Sequence, residues 1–246
     1  MRRTPWFRHW FGDEYLALYP HRDTEEARRA VELLRWAGGE DLGERVLDLA
    51  CGGGRHLAEL TDLGFDATGL DLSLPLLTTA REAAPSAGLV RGDMRVLPFG
   101  HGVFDVVTSF FTSFGYFEDE YDDQRVLREV RRVLRSGGTF LLDFLNAPAV
   151  RENLQAEDRR RVGGVEVVQE RRLTQEGRIV EKRITIEASP GTPARVFVER
   201  VRLYEPEELD RMLRLARLEP GQRFGSYEQS AFADSAPRYI VMGRAF

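Results

Sequence analysis

The sequence has one cysteine, Cys51, and one lysine, Lys182, among its 246 residues. A single cysteine excludes an intramolecular disulfide framework, and we expect a cytoplasmic protein. No apolar run is long enough to span a bilayer, and no signal-peptide core follows the basic start, so no membrane partner is expected. A net charge of −5 argues against a general nucleic-acid binder. A hydrophobic content of 42% then indicates a globular protein.

The most informative segment runs from Val46 to His56 and reads Val-Leu-Asp-Leu-Ala-Cys-Gly-Gly-Gly-Arg-His. This pattern predicts a buried strand, a sharp bend without side chains, and a helix whose first amides face outward. We expect a bulky polar ligand against that bend. Asp48 lies within the strand, where a carboxylate needs hydrogen bonds, and we expect it to brace the amides of the glycine turn.

Strands and helices alternate along the first part of the chain. This alternation predicts an α/β fold, a Rossmann-like, mostly parallel sheet with helices on both faces. The predicted strands cover 45–50, 65–70, 88–91, 103–109 and 139–144. Ligands of such sheets bind at the carboxyl ends of the strands, where the glycine turn, Asp71, Asp93 and Ser109 all fall.

The pattern changes after residue 150. Residues 160–204 alternate with a period of two, and turn sequences at 175–177 and 189–191 divide them, which predicts a three-stranded antiparallel insert. A helix from 205 and two strands, near 218–224 and 238–245, return to the main sheet. We therefore expect a cover and core over 1–150, a β insert over 151–204, and a C-terminal part of the core over 205–246.

The polar groups at the sheet edge suit an adenosine-like ligand. The turn offers free amides, and Asp71 suits the two hydroxyls of a ribose, although a helix cap would also explain it. Asp93 suits an exocyclic amine, with Met94 against a flat ring, although turn chemistry explains Asp93 nearly as well. A dinucleotide-binding fingerprint needs glycine or alanine at the position of Leu57, which argues against a nicotinamide dinucleotide. A P-loop needs Gly-Lys-Ser/Thr after the glycines, and this sequence has none there. An adenosine with an uncharged link is therefore favoured.

These residues resemble the class I S-adenosylmethionine-dependent methyltransferases. Val-Leu-Asp-Leu-Ala-Cys-Gly-Gly-Gly is similar to the first motif of that family, and Gly-Leu-Asp-Leu-Ser at 69–73 to the second. Gly-Asp-Met at 92–94 and Phe-Asp-Val-Val at 104–107 are similar to the third and fourth. The likeness covers about residues 40–145, and the start of the chain resembles the N-terminal cover of a bacterial subgroup with a β insert after the fifth strand. It implies a seven-stranded sheet whose last strand is antiparallel, and S-adenosyl-L-methionine as the cofactor.

The resemblance also implies roles for individual residues. Gly52 and Gly54 face the methionine part of the cofactor, Asp71 the ribose, and Asp93 the adenine. Ser109 and Phe110 lie beneath the sulfonium. Tyr15, Tyr19 and Arg22 are candidates for closing the pocket. The full expected cofactor-binding set is Asp48, Ala50, Cys51, Gly52, Gly54, Asp71, Leu72, Asp93, Met94, Ser109, Phe110, Tyr15, Tyr19 and Arg22.

The implied reaction is in-line transfer of a methyl group to a nitrogen or oxygen of a small molecule. No residue is an unambiguous base: His56 and Tyr116 are candidates, and a packed structural role suits His56 better. We expect Phe111 in the core, Tyr116 at the cleft, Cys51 as a small packed residue, and no metal. Replacing Asp71 by alanine is expected to weaken cofactor binding more than folding.

Three other functions remain open at this point. A Rossmann-type oxidoreductase would bind NADH in place of S-adenosylhomocysteine. A methyltransferase acting on RNA would use the arginines at 159–161 and 171–172, which charge protection of strand edges explains at least as well. A noncatalytic binding module would transfer nothing. The β insert is the natural place for acceptor choice or for a homodimer contact, and a monomer is equally compatible.

Overall fold

The structure is a computed structural model, and it describes residues 5–19, 24–188 and 192–246. The helices are α1 (Phe7–Trp10), α2 (Asp13–Leu18), α3 (Thr24–Gly38), α4 (Arg55–Asp62), α5 (Leu74–Ala83), α6 (Glu120–Val133), α7 (Ala147–Asn153) and α8 (Pro206–Leu215). The strands are β1 (Arg45–Leu49), β2 (Asp66–Asp71), β3 (Gly88–Arg91), β4 (Phe104–Ser109), β5 (Leu134–Leu145), β6 (Glu157–Val162), β7 (Val165–Thr174), β8 (Ile179–Ile186), β9 (Arg195–Arg202), β10 (Leu218–Phe224) and β11 (Arg238–Ala245).

The main sheet has seven strands in the order β10-β11-β5-β4-β1-β2-β3. Strands β1 to β5 pair in parallel, and β11 is antiparallel to both β5 and β10. The fold class predicted from the sequence is confirmed, including the antiparallel last strand. The order reverses between β1 and β4, which is where a doubly wound sheet opens a crevice at the carboxyl ends of its strands.

Each face of this sheet is covered by its own helices, because alternate strand residues point to opposite faces. Leu47 and Val107 pack with Val126 of α6 and Leu213 of α8 in one core. The adjacent residues of the same strands point to the other face and pack against α3 and α4. They include Val46, Val106 and Leu141. The sheet is therefore rigid on both sides and fixes the positions of its strand ends.

The β insert is a separate antiparallel sheet of four strands, β6-β7-β8-β9, and not the three predicted. The sequence Glu-Asp-Arg-Arg-Arg-Val of β6 has no apolar alternation because β6 is an edge strand with one neighbour and no fully buried residue. The predicted turn at 175–177 is confirmed between β7 and β8, with positive φ at all three residues. The second predicted turn, at 189–191, lies outside the described residues.

The N-terminal helices α1 and α2 lie between the insert and the main sheet. Trp10, Tyr15 and Leu18 are buried there against Val167 and Ile184 of the insert. Leu76 of α5 joins the same cluster. We call residues 5–19 the cover, because they lie across the carboxyl edge of the sheet.

Candidate active site

The glycine turn joins β1 to α4 and uses glycine for two different reasons. Gly52 has φ +56°, and a Cβ atom there would have no heavy atom within 4 Å, so the backbone borders open space. Gly54 has φ +84°, and its Cβ would lie 2.8 Å from Cα of Ala80 in α5. Gly54 therefore allows helix packing and does not line the cavity described below, whereas Gly52 does.

Asp71, at the end of β2, holds the turn in place. Its Oδ2 accepts a hydrogen bond from the Gly52 amide at 2.9 Å, and its Oδ1 accepts one from the Ser73 amide at 2.8 Å. The carboxylate is buried, and burial raises its pKa although these amides oppose the shift. Asp71 and Leu72 both line the cavity.

Asp48 does not brace the turn, so that prediction is wrong. Its side chain is buried beside the neighbouring strand β4 and accepts a hydrogen bond from Thr108 Oγ1 at 3.2 Å. Its Oδ2 has no hydrogen-bond partner among the described residues. Desolvation raises the pKa of Asp48 to about 7, and the nearby carboxylate of Asp71 adds to the shift. The left-handed turn directs the Gly52 amide toward the end of β2, so Asp71 accepts the hydrogen bond that was expected of Asp48.

Asp93 and Met94 line the cavity beyond β3. Arg95 donates to both oxygens of Asp93, at 3.0 and 2.7 Å, and Arg8 of the cover lies 3.9 Å away. Burial acts to raise the pKa of Asp93, but the hydrogen bonds from Arg95 outweigh it and hold the pKa below the ordinary value. The carboxylate is thus ionised and fixed at the cavity wall.

Three further predicted residues lie around the end of β4. Ser109 is buried and does not line the cavity, whereas Phe110 does. The His56 ring stacks on Phe110 at 4.5 Å and 16°, and it also borders the cavity. Cys51 is buried as expected, and burial raises the pKa of its thiol.

Phe111 packs against the core on the α3 and α4 face of the sheet, but it is not fully buried there, as a core residue would be. It is half-buried, has φ +56°, lines the cavity, and carries the Arg55 guanidinium 4.4 Å above its ring. Tyr116 borders the cavity as predicted and contacts the rings of Trp6 and Phe11 in the cover, at 5.1 and 5.8 Å.

Tyr15 and Tyr19 of the cover also line the cavity, with their ring centroids 5.2 Å apart. Ala50 belongs to the lining as well. Arg22, the third candidate for closing the pocket, lies outside the described residues.

These elements border a cavity of about 1110 Å³. Its far wall was not foreseen from the sequence, and it comes from the end of β5, α7, the start of β11 and the inner face of the insert. The polar residues on that wall are Arg171, Lys182, Glu199 and Arg238. The volume is at the upper end of what small-molecule sites occupy, so the cavity has room for a cofactor and a second molecule.

The near side of the cavity, formed by the glycine turn and the ends of β2 and β3, fits an adenosyl cofactor. The open space at Gly52 is a cradle that any side chain would fill, and a buried carboxylate and apolar walls border it. Within residues 5–19, 24–188 and 192–246 there is no group of three or more His, Cys, Asp or Glu side chains placed to hold a metal. No helix in those ranges is long and apolar enough to cross a membrane.

Comparison with known proteins agrees with this geometry. Residues 47–142 match the family model described as a methyltransferase domain. An uncharacterised methyltransferase of Synechocystis sp. is 40% identical over 108 residues, which are 44% of this chain and 50% of that protein. The chain spans about half the length of the curated relatives it matches.

Among the solved structures that match over nearly the whole chain are two methyltransferases of known source. The CcbJ methyltransferase from Streptomyces caelestis has a TM-score of 0.80 and 25% identity, over 96% of this chain and 98% of that one. CalS10 from Micromonospora echinaspora, an amino pentose methyltransferase with S-adenosylmethionine bound, has a TM-score of 0.71 and 25% identity, over 95% and 97%. The predicted resemblance to the S-adenosylmethionine-dependent methyltransferases is confirmed: the chain has their fold, and residues 47–142 match a methyltransferase domain.

Proposed function

We propose that this protein is an S-adenosylmethionine-dependent methyltransferase that transfers a methyl group to a nitrogen or oxygen atom of a small molecule. The observation that carries the proposal is the convergence of the Gly52 turn and the Asp71 carboxylate on one cavity. A bare backbone bend beside a strand-end carboxylate suits a nucleoside with two ribose hydroxyls.

The residues of the near side would hold the cofactor. Asp71 would accept from the ribose, with Leu72 beside it, and Ala50, Cys51 and Gly52 would border the amino-acid end. Asp93 is largely occupied by Arg95, so Met94 and the neighbouring backbone are better placed than its carboxylate for the adenine. S-adenosylmethionine supplies a methyl group on a cationic sulfonium, which is reactive without a metal.

The protein's own contribution is then alignment and exclusion of water. Phe110, Tyr116 and the cover rings border the space between the near side and the far wall. The His56 ring stacks on Phe110, which supports a packing role for it. Tyr116 remains the candidate for accepting a proton from the methyl acceptor.

A small-molecule acceptor is supported by the volume of the cavity and by relatives such as CalS10 and CcbJ. The net charge of −5 speaks against RNA. A cytoplasmic location is supported by the single, buried cysteine. The β insert is the surface we propose for any homodimer contact.

Calorimetric titration with S-adenosylhomocysteine and, separately, with NADH tests the proposal. We expect saturable one-site binding of S-adenosylhomocysteine and none of NADH. Tight NADH binding without S-adenosylhomocysteine binding would contradict it and favour an oxidoreductase. Transfer of label from methyl-labelled S-adenosylmethionine to an acceptor mixture then separates an enzyme from a noncatalytic module.

A further inference from the structure

The far wall of the cavity contains a pair of opposite charges on the β insert. Lys182 of β8 and Glu199 of β9 are direct cross-strand neighbours, and Lys182 Nζ lies 2.8 Å from Glu199 Oε2. Both line the cavity, and their side chains are only 18% and 17% exposed. Since Lys182 is the only lysine in a chain rich in arginine, a compact ammonium stands here in place of a planar guanidinium.

The cover holds this pair in place. Lys182 Nζ donates to the hydroxyl of Tyr19 at 2.9 Å, and Trp10 Nε1 donates to Glu199 Oε1 at 2.5 Å. Trp10 is fully buried, so the carboxylate cannot turn away without breaking a buried hydrogen bond. The pair is therefore a rigid polar feature, not a mobile surface ion pair.

Hydrogen-bonding capacity remains on both partners. An ammonium has three donors, and those of Lys182 serve Glu199 and Tyr19, which leaves one. A carboxylate has about four acceptor positions, and Glu199 receives one donor from Trp10 and one from Lys182. The pair thus offers the cavity a donor beside acceptor positions, with no net charge.

Neutral groups that both donate and accept match this arrangement, and hydroxyls are such groups. A cationic or anionic group would be attracted by one partner and repelled by the other. The wall around the pair also carries the apolar side chains Leu145, Val150, Val180 and Val201, which suit the C–H face of a ring. Its two arginines are already paired, Arg171 with Asp158 at 2.6 Å and Arg238 with Asp143. Resting on the proposed function, we propose that the acceptor is a neutral, vicinally hydroxylated ring of the sugar type, and that Lys182 and Glu199 determine this specificity by binding adjacent hydroxyls.

The test uses simple ring probes and saturation-transfer NMR. The probes are cis-1,2-cyclohexanediol and methyl α-D-glucopyranoside, with cyclohexanol and cyclohexanecarboxylate for comparison, and each is titrated with and without S-adenosylhomocysteine. The variants Glu199→Gln and Lys182→Met keep the shape of each side chain. Glu170→Gln and Arg183→Met are matched controls, because that pair lies 3.8 Å apart on β7 and β8 with both side chains more than half exposed.

We expect the diol and the glucoside to bind the natural protein and to bind about 10-fold more weakly to Glu199→Gln and to Lys182→Met, as for loss of a hydrogen bond to a charged group. The controls should bind as the natural protein does. Absence of diol and glucoside binding, equal binding of cyclohexanol, a preference for the carboxylate, or equal affinity in all variants would each overturn the assignment. Calorimetry with S-adenosylhomocysteine on the same samples separates the two proposals. If S-adenosylhomocysteine does not bind while the diol still binds, the proposed cofactor is contradicted and the proposed acceptor class is not.

Discussion

Asp71 combines two roles in one carboxylate. It accepts hydrogen bonds from the amides of Gly52 and Ser73, and it also lines the cavity. Replacement by alanine would leave two backbone amides without acceptors, so alanine would lower stability as well as cofactor binding and would not separate the two roles. Asparagine separates the two roles better, because its oxygen still accepts a hydrogen bond while the charge is lost.

Asp71→Asn should raise the Kd for S-adenosylhomocysteine about 10-fold or more, since a ribose hydroxyl bonded to a carboxylate contributes about 1.5–3 kcal/mol. The free energy of unfolding should fall by only about 1 kcal/mol, for the loss of one amide acceptor. Titration calorimetry and urea unfolding measure the two quantities. Asp66→Asn, at the exposed start of the same strand, is the control. An unchanged Kd would make Asp71 purely structural.

Asp48 gives the protein a pH-dependent stability. Its pKa is about 7 because of burial, well above the 3.8 of a free aspartate. Folding therefore favours the protonated form: the contribution of Asp48 to the free energy of unfolding is fully present below pH 3.8 and is lost as the pH rises through 7. Burial also raises the pKa of Asp123 to about 7, although Tyr204 donates to its carboxylate, and it contributes with the same sign.

Asp48→Asn should raise the free energy of unfolding at pH 8 by about 2 kcal/mol. This is less than the ~4 kcal/mol that the pKa shift represents, because the asparagine amide brings an unpaired N–H. Urea unfolding at pH 5 and pH 8 should show a smaller fall in the variant, with the remainder due to other buried carboxylates whose pKa is raised, such as Asp123 and Asp71. The same fall in both proteins would show that Asp48 is not the titrating group.

At the scale of elements, the cover is attached to both sides of the cavity. On the cofactor side, Ser73 Oγ donates to the Phe11 carbonyl at 2.6 Å and also caps α5 by accepting from the Leu76 amide. On the insert side, Arg195 lies 2.6 Å from Glu14. Because the Ser73 amide donates a hydrogen bond to Asp71, the residue expected at the ribose contacts the residue to which the cover is attached.

Ser73→Ala should loosen the cover. We expect faster hydrogen exchange of the α2 amides (Asp13–Leu18) and a loss of about 1–2 kcal/mol in unfolding free energy, from the cap and the lost bond together. Asp119→Ala removes the N-cap of α6, away from the cavity, and should cost similar stability without changing exchange in α2. Equal α2 exchange in both variants would show that the Ser73–Phe11 bond does not hold the cover.

At the scale of the whole molecule, the parallel sheet was predictable because β1, β2, β4 and β5 are apolar runs ending in glycine or a polar residue. The near side of the cavity was predictable from the sheet, because the carboxyl ends of parallel strands lie at one edge. Periodicity could not detect the charged edge strand β6. Which carboxylate meets the Gly52 amide depends on the turn's left-handed geometry, which the residue types do not specify.

The far wall needs tertiary information of another kind. Lys182 and Glu199 meet only through the β8–β9 register, and they reach the cavity only because the insert folds back over α7 and the cover. In the sequence, the only sign of this wall was the single lysine, Lys182, and composition alone does not assign it a function.

A crystal structure with saturating S-adenosylhomocysteine tests the central claim most directly. The account predicts the nucleoside between the Gly52 turn and the end of β2, with ribose oxygens within hydrogen-bond distance of Asp71. A turn that stays empty while the compound occupies another part of the surface would contradict it.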